Sequence, residues 1–212
     1  NSICLHTGGA LNTKVLMTGF EPFAGSSLNP SQEIVNEIAK INIPGIEIIT
    51  AILPVVFGKS SEKLLKLIAA EKPDVVISLR QAEGRIQITP ERVAINLDDA
   101  RIADNSGTIL VDRPIVNGGP AAYFSTLPVK EIVAAISANG IAAAPSLSAG
   151  TFVCNHIFYS LQHALFNANI KSGFIHVPLM TEQAGEFPNL FTMPLSEMVK
   201  GITTAITVAC SN

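Results

Sequence analysis

The chain has 212 residues, of which 48% are hydrophobic and 15% are charged, and its formal net charge is −3. This composition favours a globular domain with a substantial core and argues against disorder. The lysines and arginines are scattered, which argues against a nucleic-acid-binding face. No apolar run reaches the ~18–20 residues that a transmembrane helix needs, so we expect no membrane association.

The cysteines are too sparse for a disulfide framework, since the chain has only Cys4, Cys154 and Cys210. Such a count favours a reducing compartment, and we expect a cytoplasmic protein. No Cys/His group has the spacing of a zinc site, so neither a metal nor a cofactor is expected. Residues 1–13 precede the first clear strand and are interpreted as an N-terminal extension or a cloning remnant. Residues 14–212 are interpreted as a single domain.

Short apolar runs alternate with amphipathic segments along the chain. The runs predict strands at residues 14–18, 47–53, 74–79, 91–97 and 173–177. The amphipathic segments predict helices at residues 31–41, 60–71, 128–139, 154–167 and 195–210. Stretches rich in proline and glycine, such as residues 118–124, are interpreted as surface loops. The alternation predicts an α/β fold: a single-domain three-layer sandwich in which helices flank a mostly parallel, twisted sheet.

Cys154 follows a turn of small residues and is the first residue of a helical pattern. At a helix N-terminus, unpaired backbone N–H groups and the helix dipole stabilise a thiolate. The same N–H groups can hold an oxyanion that forms on a substrate carbonyl. The alternative is a buried, unreactive thiol, because free cysteine is among the most buried residue types. Position alone leaves both interpretations open.

Histidines are the candidate proton-transfer partners of this thiol. His156 follows Cys154 by two residues, a rotation of about 200° on a helix, and should point away from it. His163 is expected on the exposed side of the same helix, and His6 lies in the extension. His176 ends a predicted strand, at the sheet edge where ligands bind in open parallel sheets, although a packed histidine is the alternative. The third group is left open among the carboxylates Glu83, Glu91, Asp98, Asp99, Asp104 and Glu182.

Several long segments carry a resemblance to a known family. They are TGFEPFAG with LNPS (18–31), ITPERVAINLDDARIADNSG (88–107), GGPAAYFSTLPVK (118–130), SAGTFVCNHIFYSL (148–161) and GFIHVPLMTEQ (173–183). Together they cover nearly the whole chain from residue 14 onward. On these segments the chain resembles pyroglutamyl peptidase I, a cysteine peptidase family also called pyrrolidone-carboxylate peptidase.

The resemblance implies a Cys/His/Glu triad. Cys154 falls on the nucleophile position, His176 on the general acid/base and Glu91 on the residue that orients the histidine, while Arg101 borders the site. The implied reaction removes N-terminal pyroglutamyl (5-oxoproline) residues from peptides through a thioester, without a metal or a cofactor. The resemblance also implies a homotetramer.

Pyroglutamate is a small, neutral lactam, so its pocket needs apolar walls and a few amide partners. The resemblance implies that the walls include Phe20, Phe23, Ile102, Phe152 and Val153. Core packing is the alternative for each phenylalanine. Gln81 is expected to form a hydrogen bond either with the substrate or with its own surroundings.

The family loop GQAGGR reads RQAEGR here, so Arg80 and Glu83 stand where the family usually has glycine. Val55 stands where some members have threonine, which removes one hydrogen-bonding group. Arg80 and Glu83 can pair with each other, or they can change substrate access, a subunit contact or the activity. Two alternatives therefore accompany the peptidase interpretation. One is a divergent cysteine hydrolase with another acyl specificity, and the other is a weakly active homologue that acts mainly as a binding protein.

Overall fold

The structure is a computed structural model that describes residues 12–211. Its helices are α1 (Pro30–Ile38), α2 (Lys59–Glu71), α3 (Val129–Ala138), α4 (Val153–Leu165) and α5 (Leu195–Cys210). Its strands are β1 (Thr13–Phe20), β2 (Ile46–Leu53), β3 (Val75–Gln81), β4 (Thr89–Pro90), β5 (Val93–Ile95), β6 (Ala122–Phe124), β7 (Lys171–Val177), β8 (Leu179–Met180) and β9 (Thr192–Met193). A 3₁₀ turn (Thr181–Gln183) separates β8 from β9.

The central sheet has the strand order β2-β1-β3-β7-β4. Strands β2, β1, β3 and β7 are parallel, and the short β4 runs antiparallel to β7 at the edge. Two small sheets accompany it: β5 pairs with β6, and β8 pairs with β9. The prediction of a mostly parallel sheet is confirmed.

Alternating side chains divide the core into two halves, because successive residues of a strand point to opposite faces of the sheet. On β3, Val75, Ile77 and Leu79 pack in the half formed with α1, α3 and α5. Val76 faces the other half, which contains apolar residues of α2 and α4. Two helices therefore cover one face of the sheet and three cover the other, which confirms the three-layer α/β sandwich.

Several boundaries differ from the predictions. α1 ends at Ile38 rather than at residue 41, because its buried stripe ends there and Ile41 is exposed. The interpretation of residues 118–124 as a surface loop is wrong for Ala122–Phe124, which pairs with β5. Exposed residues flank a half-buried one in this strand, so it carries no apolar signal. The predicted strand at 91–97 is shorter, and only Val93–Ile95 forms it.

β1 begins at Thr13, one residue before the predicted start of the domain. Residues 1–11 of the predicted extension, with Cys4 and His6, lie outside the described residues. Within residues 12–211, no helix combines the length and the hydropathy that crossing a membrane requires.

Candidate active site

The site lies at one edge of the sheet, where β1, β3 and β7 end. Arg80 and His176 are directly opposite each other in the parallel register of β3 and β7. β1 runs alongside β3 and ends at Phe20, whose ring faces the Arg80 guanidinium. Residues that alternate along a strand share a face, so these three side chains project toward the layer that contains α2 and α4.

Cys154 is the second residue of α4, which packs on this same face of the sheet. The helix begins after Phe152 without a side-chain cap, so the N–H groups of its first turn are available to a ligand. The Cys154 thiol is almost completely buried. Nη1 of Arg80 donates a hydrogen bond to its Sγ over 3.1 Å. His176 is close enough to the same sulfur for their charges to interact.

Glu91 fixes the orientation of His176. It follows β4 directly, and its N–H donates to the Phe174 carbonyl of β7 over 2.8 Å. The fully buried carboxylate accepts, through Oε1, from His176 Nδ1 at 2.7 Å, and the same oxygen forms an ion pair with Arg85 Nη2 at 3.0 Å. A carboxylate only accepts, so Nδ1 carries a proton and Nε2 is the ring nitrogen left to exchange a proton with Cys154.

The pKa values of the Cys154–His176 pair move toward each other. Burial raises the pKa of Cys154, but the charges and hydrogen bonds of Arg80 and His176 outweigh it and lower this pKa to about 7. Burial lowers the pKa of His176, but the neighbouring Cys154 and Glu91 outweigh it, and the net direction is upward. Both directions favour a thiolate beside an imidazolium near neutral pH.

A cavity of about 660 Å³ adjoins this pair. Of the residues predicted for substrate binding, Phe23, Gln81, Arg101, Ile102 and Phe152 line it. The other two, Phe20 and Val153, are fully buried and belong to the core beneath the site. Arg80 both lines the cavity and contacts the Cys154 sulfur, so the cavity opens next to the thiol.

Gln81 has a local hydrogen bond, since its Oε1 accepts from Gln183 Nε2 over 2.9 Å. In turn, Gln183 Oε1 accepts from the Met180 N–H over 3.0 Å. The sequence left open whether Gln81 bonds with the substrate or with its own surroundings, and the structure has the local bond. Because this bond uses the oxygen of Gln81, its amide nitrogen is the group that remains for a ligand in the cavity.

The other predicted candidates do not belong to the Cys154–His176–Glu91 group. His156 bonds through Nδ1 to Asp98 Oδ2 at 2.8 Å and through Nε2 to the Ser61 hydroxyl at 3.4 Å, and it does not contact the thiol. His163 is exposed and bonds to the Tyr123 hydroxyl at 2.8 Å. Of the remaining carboxylates, Asp104 accepts bonds in a local turn, Glu83 and Asp99 line the cavity, and Glu182 is exposed.

Sequence reasoning missed three contacts of the site. Arg80 bonds to the thiol and, among the described residues, forms no ion pair with Glu83. Arg85 pairs with Glu91, and Asn155 bonds with backbone groups at residues 95 and 97 to attach that segment to α4. Residues 76, 78 and 80 alternate along β3 and share one face of the strand. Extending this alternation to Arg80 would have predicted that its side chain points toward the layer that contains α4. Among residues 12–211, no group of three or more His, Cys, Asp or Glu side chains is arranged to hold a metal ion.

Comparison with known proteins identifies the family. Residues 13–212 match the family described as pyroglutamyl peptidase. The chain belongs to the pyroglutamyl peptidase family. This membership confirms the resemblance seen in the sequence.

Two relatives and one solved structure illustrate how closely this pyroglutamyl peptidase follows its family. A pyrrolidone-carboxylate peptidase of Vibrio vulnificus (strain YJ016) is 53% identical over 189 residues, which cover 89% of each chain. Pyrrolidone-carboxylate peptidase 1 of Caldanaerobacter subterraneus subsp. tengcongensis is 50% identical over 197 residues, covering 92% of this chain and 97% of the relative. The crystal structure of pyroglutamyl peptidase I from Bacillus amyloliquefaciens matches with a TM-score of 0.92 at 43% identity, covering 95% of this chain and 96% of the other.

Proposed function

We propose that this protein is a cysteine peptidase that removes N-terminal pyroglutamyl residues from peptides. Its family and the names of its relatives support the reaction. The observation that carries the proposal is that Glu91 bonds to His176, and that His176 and Arg80 together lower the pKa of Cys154 next to an open cavity.

In this proposal Cys154 is the nucleophile. Its thiolate attacks the pyroglutamyl carbonyl carbon, a C–S bond forms, and the carbonyl electron pair moves to the oxygen. The backbone N–H groups at the start of α4 stabilise this oxyanion, with Arg101 at the edge of the site. His176, which holds the thiol proton, protonates the amine as the C–N bond breaks. Glu91 stabilises the imidazolium and keeps Nε2 directed at the sulfur.

The second half of the reaction releases the acid. Water enters after the amine leaves, and His176 removes its proton as the water attacks the thioester carbon. The C–S bond breaks, pyroglutamate departs and Cys154 returns to its starting state. No step requires a metal or a cofactor.

The cavity supplies the surroundings that a neutral lactam needs. The side chains of Phe23, Ile102 and Phe152 form apolar walls, and Phe20 and Val153 support them from the core. The amide nitrogen of Gln81 is suited to donate to the lactam carbonyl, because its oxygen already bonds to Gln183. Arg80, Glu83, Asp99 and Arg101 also line the cavity. Its apolar walls and amide donor discriminate by shape and hydrogen bonding.

The test is release of a chromophore from a pyroglutamyl-arylamide. Cys154→Ser should abolish the release while thermal unfolding shows that the fold persists. The matched control is Cys210→Ser, since burial raises the pKa of this remote thiol to about 11 and its loss should leave turnover unchanged. A panel of prolyl, glutaminyl and acetyl arylamides separates the alternatives. Another preference would indicate a different hydrolase, and no turnover would indicate a binding protein.

We also propose that the protein works as a cytoplasmic homotetramer whose partners are peptides with an N-terminal pyroglutamate. Light scattering on the purified protein measures the assembly directly. A mass of four chains supports the proposal, and a mass of one chain contradicts it.

A further inference from the structure

Arg80 is a buried cation with an unusual set of neighbours. Its side chain is 9% exposed, and Nη1 donates to Cys154 Sγ at 3.1 Å. Among the described residues it has no carboxylate partner, and the sulfur is its one hydrogen-bonded group. The guanidinium carbon lies 5.8, 5.0 and 5.4 Å from the ring centres of Phe20, Phe23 and Phe152.

Burial of such a cation requires a compensating negative charge. A guanidinium does not lose its proton in proteins, and removing it from water is unfavourable unless it is paired. Aromatic faces offset only part of that penalty. The sulfur is therefore the group within reach that can supply a full negative charge.

We propose that Arg80 is a further catalytic residue of this enzyme, which holds the Cys154 sulfur as a thiolate in the resting state. The inference rests on the proposed function, because it assigns this role to the nucleophile of that reaction. His176 accepts the thiol proton, and Arg80 stabilises the negative charge that remains on the sulfur. The nucleophile is thus ionised before a substrate arrives.

The same contact has a consequence for the attack on the substrate. When the sulfur forms a bond with the acyl carbon, the negative charge moves from the sulfur to the carbonyl oxygen, two bonds away. Arg80 lines the cavity and uses Nη1 on the sulfur, so its other N–H groups are available on the substrate side. The guanidinium can therefore stabilise the negative charge first on the sulfur and then on the carbonyl oxygen.

The pH dependence of Cys154 alkylation tests this proposal. Iodoacetamide modifies the thiolate, and mass spectrometry of the peptide that contains Cys154 reports this residue alone. The wild-type midpoint should lie near pH 7. Arg80→Met keeps an apolar chain among the aromatic rings but removes the charge, so the midpoint should rise by about one unit or more. At pH 6 this shift slows alkylation by about tenfold or more. Arg80→Lys keeps the cation and should retain most of the wild-type behaviour.

The matched control is Arg92→Met. Arg92 also places its guanidinium over an aromatic ring, at 5.9 Å from the centre of Phe124, but it is exposed and not in contact with the thiol. The pH midpoint of Cys154 alkylation in Arg92→Met should equal that of the wild type. Arg80→Gly serves as a second variant if Arg80→Met does not fold. A folded Arg80→Met or Arg80→Gly variant that keeps the wild-type midpoint overturns the proposal.

Alkylation does not require peptidase turnover, so the two proposals fail separately. A wild-type protein that does not cleave pyroglutamyl-arylamide, but whose midpoint depends on Arg80, would contradict the proposed function and keep the thiolate pair. A protein that cleaves the substrate with a midpoint independent of Arg80 would contradict only the role of Arg80.

Discussion

Glu91→Gln separates the charge of the proposed triad from its geometry. The Glu91 carboxylate is fully buried, and its Oε1 accepts from His176 Nδ1 at 2.7 Å and forms an ion pair with Arg85 Nη2 at 3.0 Å. Glutamine has the same shape and keeps one acceptor oxygen. Both neighbours lie on the side of Oε1, so the amide oxygen should stay there and the tautomer of His176 should be preserved. The substitution then removes the charge alone.

The size of the effect follows from that contact. A buried hydrogen bond to a charged group contributes about 1.5–3 kcal/mol, which corresponds to a loss of about 10- to 150-fold in rate. The loss falls on kcat, because the carboxylate charge stabilises the His176 imidazolium, which is paired with the thiolate and protonates the leaving amine. The fold should also become less stable, since Oε2 is buried without a partner and the new amide nitrogen would be an unsatisfied donor there. We expect about 1–3 kcal/mol of destabilisation, which a protein of ordinary stability tolerates.

The assay is kcat for a pyroglutamyl-arylamide, measured below the unfolding transition of each variant. Asp98→Asn is the matched control, because Asp98 is also a buried carboxylate that accepts from a histidine, His156, and has one oxygen without a partner. It should lose stability to a similar extent but keep its turnover number. Equal losses of turnover in the two variants, or wild-type turnover in Glu91→Gln, would refute the reasoning.

Three further predictions concern pH and packing. The kcat/KM for a pyroglutamyl-arylamide should fall as the pH drops through about 7, because Cys154 then gains a proton; a flat profile from pH 6 to 8 would contradict this. Gly19→Ala should cost about 1–3 kcal/mol in urea unfolding, since a Cβ there would lie 2.5 Å from a backbone oxygen of α1. Gly185→Ala, which meets nothing within 4 Å, should leave stability unchanged, and equal effects would contradict the packing argument. Asn155→Ala should destabilise by about 2 kcal/mol or more, because it leaves backbone groups of residues 95 and 97, at the end of β5 and just after it, without partners; wild-type unfolding would show that water replaces them.

The elements that the sequence predicted well are those that pack against a large core. All five helices and the long strands of the sheet were predicted, because burial on one stripe or on both faces leaves a strong apolar pattern. The missed strands are β6, which has exposed residues around a half-buried one, and the two-residue β4, β8 and β9. Their pairing depends on backbone groups of distant segments, and side-chain periodicity carries no information about it.

The site shows the same division between local pattern and tertiary contact. Cys154 and His176 were candidates on local grounds, as a helix start and a strand end on one edge of the sheet, and the family resemblance selected them. The third group could not be chosen that way, since only the antiparallel β4–β7 pairing brings Glu91 beside the imidazole.

Arg80 is the most informative miss. The predicted strand ended at Leu79 because a charged residue interrupts an apolar run, and Arg80 was assigned to a loop. In the fold it continues β3 opposite His176, and its burial is compensated by three aromatic rings and a sulfur from distant parts of the chain. A rule that reads each residue by its own polarity excludes such a position. Extending the alternation of β3 by one residue, and asking which groups could neutralise a cation there, leads to the start of α4 and therefore to the nucleophile.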